Sequence, residues 1–172
     1  MKMLRVFLIL VAVCSLLIGQ PITNRNVSAV TLKANDLSAL TQQELAQART
    51  ATARYHDVAA AEADGYVNFN LCVSGEGCHY IKFSLLDDKF DPAAPEILIY
   101  APAPGDRLRL VGVEYLVPIA LSPEVPDGFT GDADEWRMDA EGFGLWELNA
   151  WIWLHNPEGV FAHDNPRLGA EE

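Results

Sequence analysis

Apolar and polar positions change period along the chain. Between Thr41 and Asp64, Leu45, Ala48, Thr52, Tyr55, Ala59 and Ala63 recur at spacings of three and four, the repeat of one helical face. Thr41 followed three residues later by Glu44 has the form of a capping box, and Gly65 supplies a C-terminal stop, so one helix is predicted from Thr41 to Asp64. Beyond it the pattern turns to β. Residues 66–73, 97–101, 108–117 and 145–154 are rich in β-branched and aromatic side chains. The turn formers from Ala101 to Asp106 make residues 97–101 and 108–117 the arms of a hairpin. Pro123 to Gly144 reads as a long loop, and Asn156-Pro157 and Asn165-Pro166 make the end of the chain an irregular flap. The expectation is an α+β domain: one N-terminal helix packed on an antiparallel β-sheet, with long loops and a C-terminal flap.

The first residues follow a different logic. Lys2 and Arg5 precede the apolar run Val6 to Ile18, and Val27-Ser28-Ala29 is a small-residue cleavage pattern, so residues 1–29 read as a secretory signal peptide. The run is short for a transmembrane span of about 20 residues, and an uncleaved anchor is the alternative. Cys14 lies inside the apolar run after Val13, which is larger than a lipoprotein site accepts. Residues 30–40 then form a linker and 41–172 the single domain, within the reach of one hydrophobic core. The expected location is secreted or periplasmic.

Charge narrows the partners. Three of the 12 basic residues fall in the leader, leaving 9 against 24 acidic ones. Nucleic acid and anionic lipid attract clusters of Lys and Arg, and the basic residues here stand singly among carboxylates. The expectation is therefore no nucleic acid and no membrane beyond the signal peptide; a cation is the more natural guest. The acidic residues of the long loop do not have the alternating spacing of a calcium loop. No internal repeat, phosphate-cradling glycine pattern, G-x-S-x-G or H-E-x-x-H is present, so nothing in the chain names a substrate for catalysis.

Candidate chemistry sits in three places. Glu114 lies inside Leu110-Val-Gly-Val-Glu-Tyr-Leu-Val117, a run apolar enough to be buried, where a carboxylate needs a cation, a metal or a proton. His79 follows the glycine-rich Gly75-Glu-Gly-Cys78, with imidazole the commonest metal ligand. In residues 145–154, strand alternation puts Glu147, Asn149, Trp151, Trp153 and His155 on one face. A zinc-type site is expected from His79 and Glu114, completed by Asn149, His155 or water; it requires the two polar tips to lie within about 6 Å. The alternative is a pocket for a small organic ligand or haem walled by Tyr80, Tyr115, Trp151 and Trp153, with His56 either lining it as well or holding helix to sheet. A third reading is a structural protein whose polar cluster satisfies itself. Cys72 and Cys78, in an oxidising compartment, read first as a disulfide, with metal thiolates or free thiols as the other options.

The segments Ala53-Arg-Tyr-His-Asp57 through Asp64-Gly-Tyr66, Gly77-Cys-His-Tyr80, Pro95 to Tyr100, Leu108 to Tyr115, Trp146 to Trp151 and Asn156-Pro-Glu-Gly-Val-Phe161 form an ordered set. Together they resemble a family of secreted bacterial proteins with cyanobacterial members linked to zinc homeostasis, over about 120 residues from the helix to Arg167. The resemblance implies a polar cluster made by the histidine of Gly-x-His-Tyr, the glutamate of Val-Glu-Tyr and a histidine of Trp-x-Leu-His-x-Trp. Those positions are His79, Glu114 and Asn149. Asn149 departs from the pattern, and an amide oxygen is a weak zinc ligand, so the resemblance implies a weakened site, a role passed to His155 or Cys78, or a lost site. Relatives pair a cysteine near Cys72 with one at the C-terminus. Its absence here favours pairing of Cys72 with Cys78, or a thiol used beside His79.

Overall fold

The structure, a computed structural model, describes residues 37–105, 107–140 and 142–169. The chain divides into two units, Met1–Thr31 and Leu32–Glu172. The first unit, with the leader and cleavage pattern, lies outside the described residues, and everything below concerns the second.

The domain is α+β. Helix α1 (Ala39–Thr52) is followed by a single 3₁₀ turn (Ala53–His56) and by α2 (Val58–Ala63). The strands are β1 (Val67–Val73), β2 (Gly77–Ile81), β3 (Ile97–Ala103), β4 (Arg107–Pro118), β5 (Arg137–Met138) and β6 (Leu145–Ala150). They form one sheet in the order β1-β2-β3-β4-β6-β5, antiparallel at every pairing.

The expected single helix is broken, and its start lies earlier. Ser38, not Thr41, is the N-cap, its hydroxyl accepting from the Thr41 amide at 3.0 Å. Glu44 turns away from the cap and its carboxylate accepts from the Thr130 amide and hydroxyl, both at 2.7 Å, tying the helix to the long loop. At Asp57 the backbone becomes extended (φ −91°, ψ 109°) and the carboxylate caps α2 by accepting from the Ala59 amide. That break shifts the helical phase. Leu45, Ala48, Thr52 and Tyr55 are buried as the spacing predicts, but Ala61 replaces Ala59 and Ala63 as the buried residue of α2.

Two strands escape the sequence pattern. β2 carries Gly77, Cys78 and His79 in place of a β-rich run, and β5 has two residues, too few to show alternation. Gly77 has φ +88°, and a Cβ there would stand 2.7 Å from the Tyr100 carbonyl oxygen, so only glycine lets β2 lie this close to β3. Cys72 and Cys78 are joined as a disulfide across the β1–β2 pair. β6 ends at Ala150 rather than Leu154 because the Trp151 amide donates to the Val160 carbonyl and those of Trp153 and Leu154 donate to the Val111 carbonyl. From Trp151 on, the described chain is irregular, as expected of a flap.

Strand alternation separates two layers of side chains. One face packs Tyr80, Leu98, Tyr100, Val113, Tyr115, Leu148 and Ala150 against Leu45, Ala48, Tyr55 and Ala61 of the helical segment. The other face carries Ile81, Ile97, Ile99, Ala101, Val111 and Leu116 with Trp151. His79, Glu114 and Asn149 alternate onto this second face.

Candidate functional site

β2 and β4 flank β3, and the register sets His79 opposite Ile99 and Glu114 opposite Ile97. The two polar side chains therefore meet above the isoleucines of β3. The His79 Nε2 and the Glu114 Oε2 lie 3.5 Å apart, and both side chains are about 95% buried. The expected proximity of the polar tips is met with room to spare.

A second pair approaches from the loops. The turn between β1 and β2 carries Glu76, and the flap carries His163, whose Nε2 lies 3.4 Å from the Glu76 Oε1. The flap is tied to the turn by its backbone, the Asn165 amide donating to the Gly75 carbonyl at 2.8 Å. The Asn156 side-chain amide holds it again by donating to the Asp164 carbonyl at 2.8 Å. The hydrogen bond and charge of Glu76 hold the His163 imidazole above its ordinary pKa against the opposing effect of burial. Reciprocally, the His163 bond holds the Glu76 carboxyl below the usual range, with smaller help from the charges of His79 and Arg137. Asp164, exposed, offers an oxygen 3.9 Å from the same imidazole nitrogen, and donor atoms of Glu76, His163 and Asp164 lie within 4.8 Å of one another.

Asn149 stands beside Glu114 in the β4–β6 ladder and is buried, as its strand position predicts. Its amide oxygen takes up a position other than the expected ligand role: it faces the His163 Nδ1 at 3.2 Å. An amide oxygen accepts only, so this bond keeps the proton on Nδ1 and leaves Nε2 facing Glu76. Asn149 thus orients an imidazole that sequence reasoning did not select. His155, expected to complete the site, is exposed on the turn after β6 and lines a different cavity with Arg49 and Trp153. The strand ends before it, so the alternation that put it beside Asn149 does not apply.

His79, Glu114, Glu76, His163 and Glu147 all line one cavity of about 250 Å³. Ten of its fifteen lining side chains are apolar, so the charged groups form a polar patch within an apolar enclosure. The aromatic residues expected to wall a ligand pocket do not converge here. Tyr80 and Tyr115 are buried on the helix-covered face, and Trp151 packs on the opposite layer with its indole N–H donating to the Ala162 carbonyl. Trp153 packs edge to face against His56 at 4.4 Å between ring centres, a contact between the helical segment and the chain after β6 rather than the sheet itself.

His163, Glu76 and Glu147 are the residues that pattern reading missed as a site. Glu76 lay in view as part of the glycine-rich turn, and Glu147 as a face neighbour of Asn149. His163 gave one signal, being one of four histidines in the chain, but it sits in an aperiodic segment whose position only the backbone bonds of Asn165 and Asn156 define. No helix among the described residues is long and apolar enough to cross a membrane. Comparison of the chain with protein-family models, with curated proteins and with solved structures finds no match.

Proposed function

We propose that the chain is an exported metal-binding protein that buffers or delivers a zinc-type divalent ion, held by His79 and Glu114 at the wall of a cavity that Glu76 and His163 also line. The observation that carries this reading is the 3.5 Å separation of a buried imidazole nitrogen and a buried carboxylate oxygen at a cavity wall. Tetrahedral zinc with bonds of about 2.0–2.1 Å holds neighbouring ligand atoms about 3.3 Å apart, so such a pair needs little adjustment to close on an ion. The Glu76–His163 separation of 3.4 Å has the same property. Imidazole and carboxylate are the donors that suit zinc and its neighbours in the first transition row. The acidic surface attracts cations to the site over a distance set by the ionic strength.

His79 and Glu114 come from strands that the sheet holds rigidly, whereas Glu76 and His163 come from a turn and a flap. Asn149 supports the arrangement through His163.

The test is calorimetric titration of the metal-free full chain with zinc, beside His79→Ala and Glu114→Gln. One equivalent is expected to bind the parent protein, with affinity at least tenfold lower in each variant. Absence of uptake by the folded parent, or uptake unchanged in both variants, would overturn the reading. It would leave the cluster as a self-satisfied structural feature.

A further inference from the structure

The cavity that His79 and Glu114 line is larger and more apolar than an ion requires. Beyond its polar end the walls are chiefly leucine, isoleucine and phenylalanine side chains. An apolar cavity of about 150 Å³ takes up benzene, so one of about 250 Å³ holds a molecule of about eight to ten non-hydrogen atoms. Three phenylalanines that border it stand in water: Phe69 is 49% exposed, Phe83 53% and Phe143 65%, and no other aromatic side chain among the described residues is exposed to this degree. Phe69 and Phe83 stand edge to face at 6.0 Å between ring centres. The three rings come from β1, from the turn after β2 and from the loop before β6, and they rim a concavity. A flat protein surface laid across that rim would leave the hollow unfilled, whereas a small molecule covers rings and walls together.

The polar end decides the charge of that molecule, because its ionisable groups are matched among themselves. Glu114 lies 3.5 Å from the imidazole of His79, and Glu76 lies 3.4 Å from that of His163. Glu147 stands opposite Arg137 in the β5–β6 ladder, which puts the two side chains on one face of the sheet. The charge of Arg137 also acts on Glu76 and His163, and the exposed Asp164 offers His163 a second carboxylate at 3.9 Å. Each carboxylate that lines this end therefore has a basic group beside it. A charged ligand would lose its water without meeting an opposite charge that is not already engaged, and it would disturb a buried pair. An uncharged ligand avoids both costs. We infer that the cavity binds a small uncharged organic molecule, about the size of one substituted ring, with its hydrocarbon body against Phe69, Phe83 and Phe143 and a neutral polar group, such as a hydroxyl, toward the His79–Glu114 end. The inference does not rest on a bound metal; it assigns a second kind of ligand to the apolar part of the cavity.

The experiment offers benzyl alcohol, benzoate and benzylamine to the full chain, kept metal-free with a chelator near neutral pH, with ligand-observed NMR as the readout. The three probes share a ring and differ in the charge of one substituent. Benzyl alcohol is expected to bind about tenfold more tightly than either charged analogue. Its affinity is expected to fall about tenfold in Phe69→Ser/Phe83→Ser and about threefold in Phe143→Ser, and thermal unfolding checks that both variants keep the fold. No uptake of benzyl alcohol, or uptake unchanged in both variants, overturns the inference. A stable dimer in sedimentation together with absent uptake would assign the rings to a contact between copies of the chain and overturns it too. Equal or tighter binding of benzoate would show that Arg137 and the imidazoles dominate the polar end, and equal or tighter binding of benzylamine that the carboxylates do; either overturns the uncharged assignment. Zinc uptake is measured separately, so failure of the ion site and failure of the organic site are read from different experiments.

Discussion

On the helix-covered face of the sheet, Tyr100 and Tyr115 bury their rings and send each hydroxyl to a backbone carbonyl, of Tyr55 at 2.6 Å and of Pro92 at 3.0 Å. On the other face the same strands present His79 and Glu114, which meet each other beside a cavity. Both faces bury polar atoms within β2, β3 and β4, but by different means. The tyrosines end in neutral groups that a fixed carbonyl satisfies, which makes a closed and rigid core. The histidine and glutamate are ionisable, and pairing them in a low-dielectric place is weak as a source of stability. One sheet thus has a face closed by neutral groups and a face that buries an ionisable pair beside a cavity.

Two buried glutamates sharpen the contrast. Glu96, which precedes β3 and has the parity of Leu98, accepts from the Leu116 amide at 3.0 Å. Burial pushes its carboxyl up to about 8, the amide bond opposing that shift only in part. Glu114 has an imidazole as its neighbour where Glu96 has a peptide group. At Glu96 the surroundings favour the protonated carboxyl.

The largest effect is expected from opening the closed face. Tyr100→Ala removes a fully buried ring together with its bond to Tyr55 and should cost about 3–5 kcal/mol in urea unfolding. A loss below about 1 kcal/mol would mean that this face is not the rigid core described.

A pH-dependent effect follows at Glu96. Its folded-state value lies above the ordinary 4.5, so in the folded chain the carboxyl keeps its proton where the unfolded chain has lost it. Its contribution to stability is complete below about pH 4.5 and declines as pH rises to about 8, by at most about 1.4 kcal/mol per pH unit. Glu96→Gln keeps an acceptor for the Leu116 amide and removes the titration. It should be more stable than the parent by up to about 5 kcal/mol at pH 8 and close to it at pH 4.5. Equal slopes of stability against pH for the two proteins would remove Glu96 as the cause.

The smallest expected change in stability comes from the open face. The double variant His79→Leu/Glu114→Met replaces the buried pair with apolar groups and should alter unfolding free energy by no more than about 1 kcal/mol, or raise it. Zinc uptake should be abolished in the same protein. A loss of several kcal/mol would place the pair among the elements that hold the fold and would erase the difference between the two faces.

Much of the fold was legible in one dimension. The three-and-four spacing from Leu45 to Tyr55 and the dense β-branched runs of residues 97–101 and 108–117 are local patterns, and local pattern is what periodicity reports. Where long-range bonds intervene, the pattern fails: Asp57 splits the helix, and the Val111 carbonyl ends β6 at Ala150 and so takes His155 out of the site. β2 was hidden because its glycines serve close packing against β3 rather than strand propensity.

Sequence alone therefore determined an α+β domain, the pairing of Cys72 with Cys78 as the first reading, and the choice of His79 and Glu114 as candidate ligands of one ion. A carboxylate in a wholly apolar run demands a partner wherever the chain folds, and that demand is a property of composition. Only the tertiary structure decided that Glu76 and His163 line the same cavity as His79 and Glu114, that Asn149 faces His163, and that Tyr80, Tyr115 and Trp151 belong to packed layers. Those assignments depend on residues as far as 87 positions apart in numbering, such as Glu76 and His163, meeting at one place. No local period encodes such a meeting; it arises from the register of the sheet and from a few backbone bonds that fasten the flap across it.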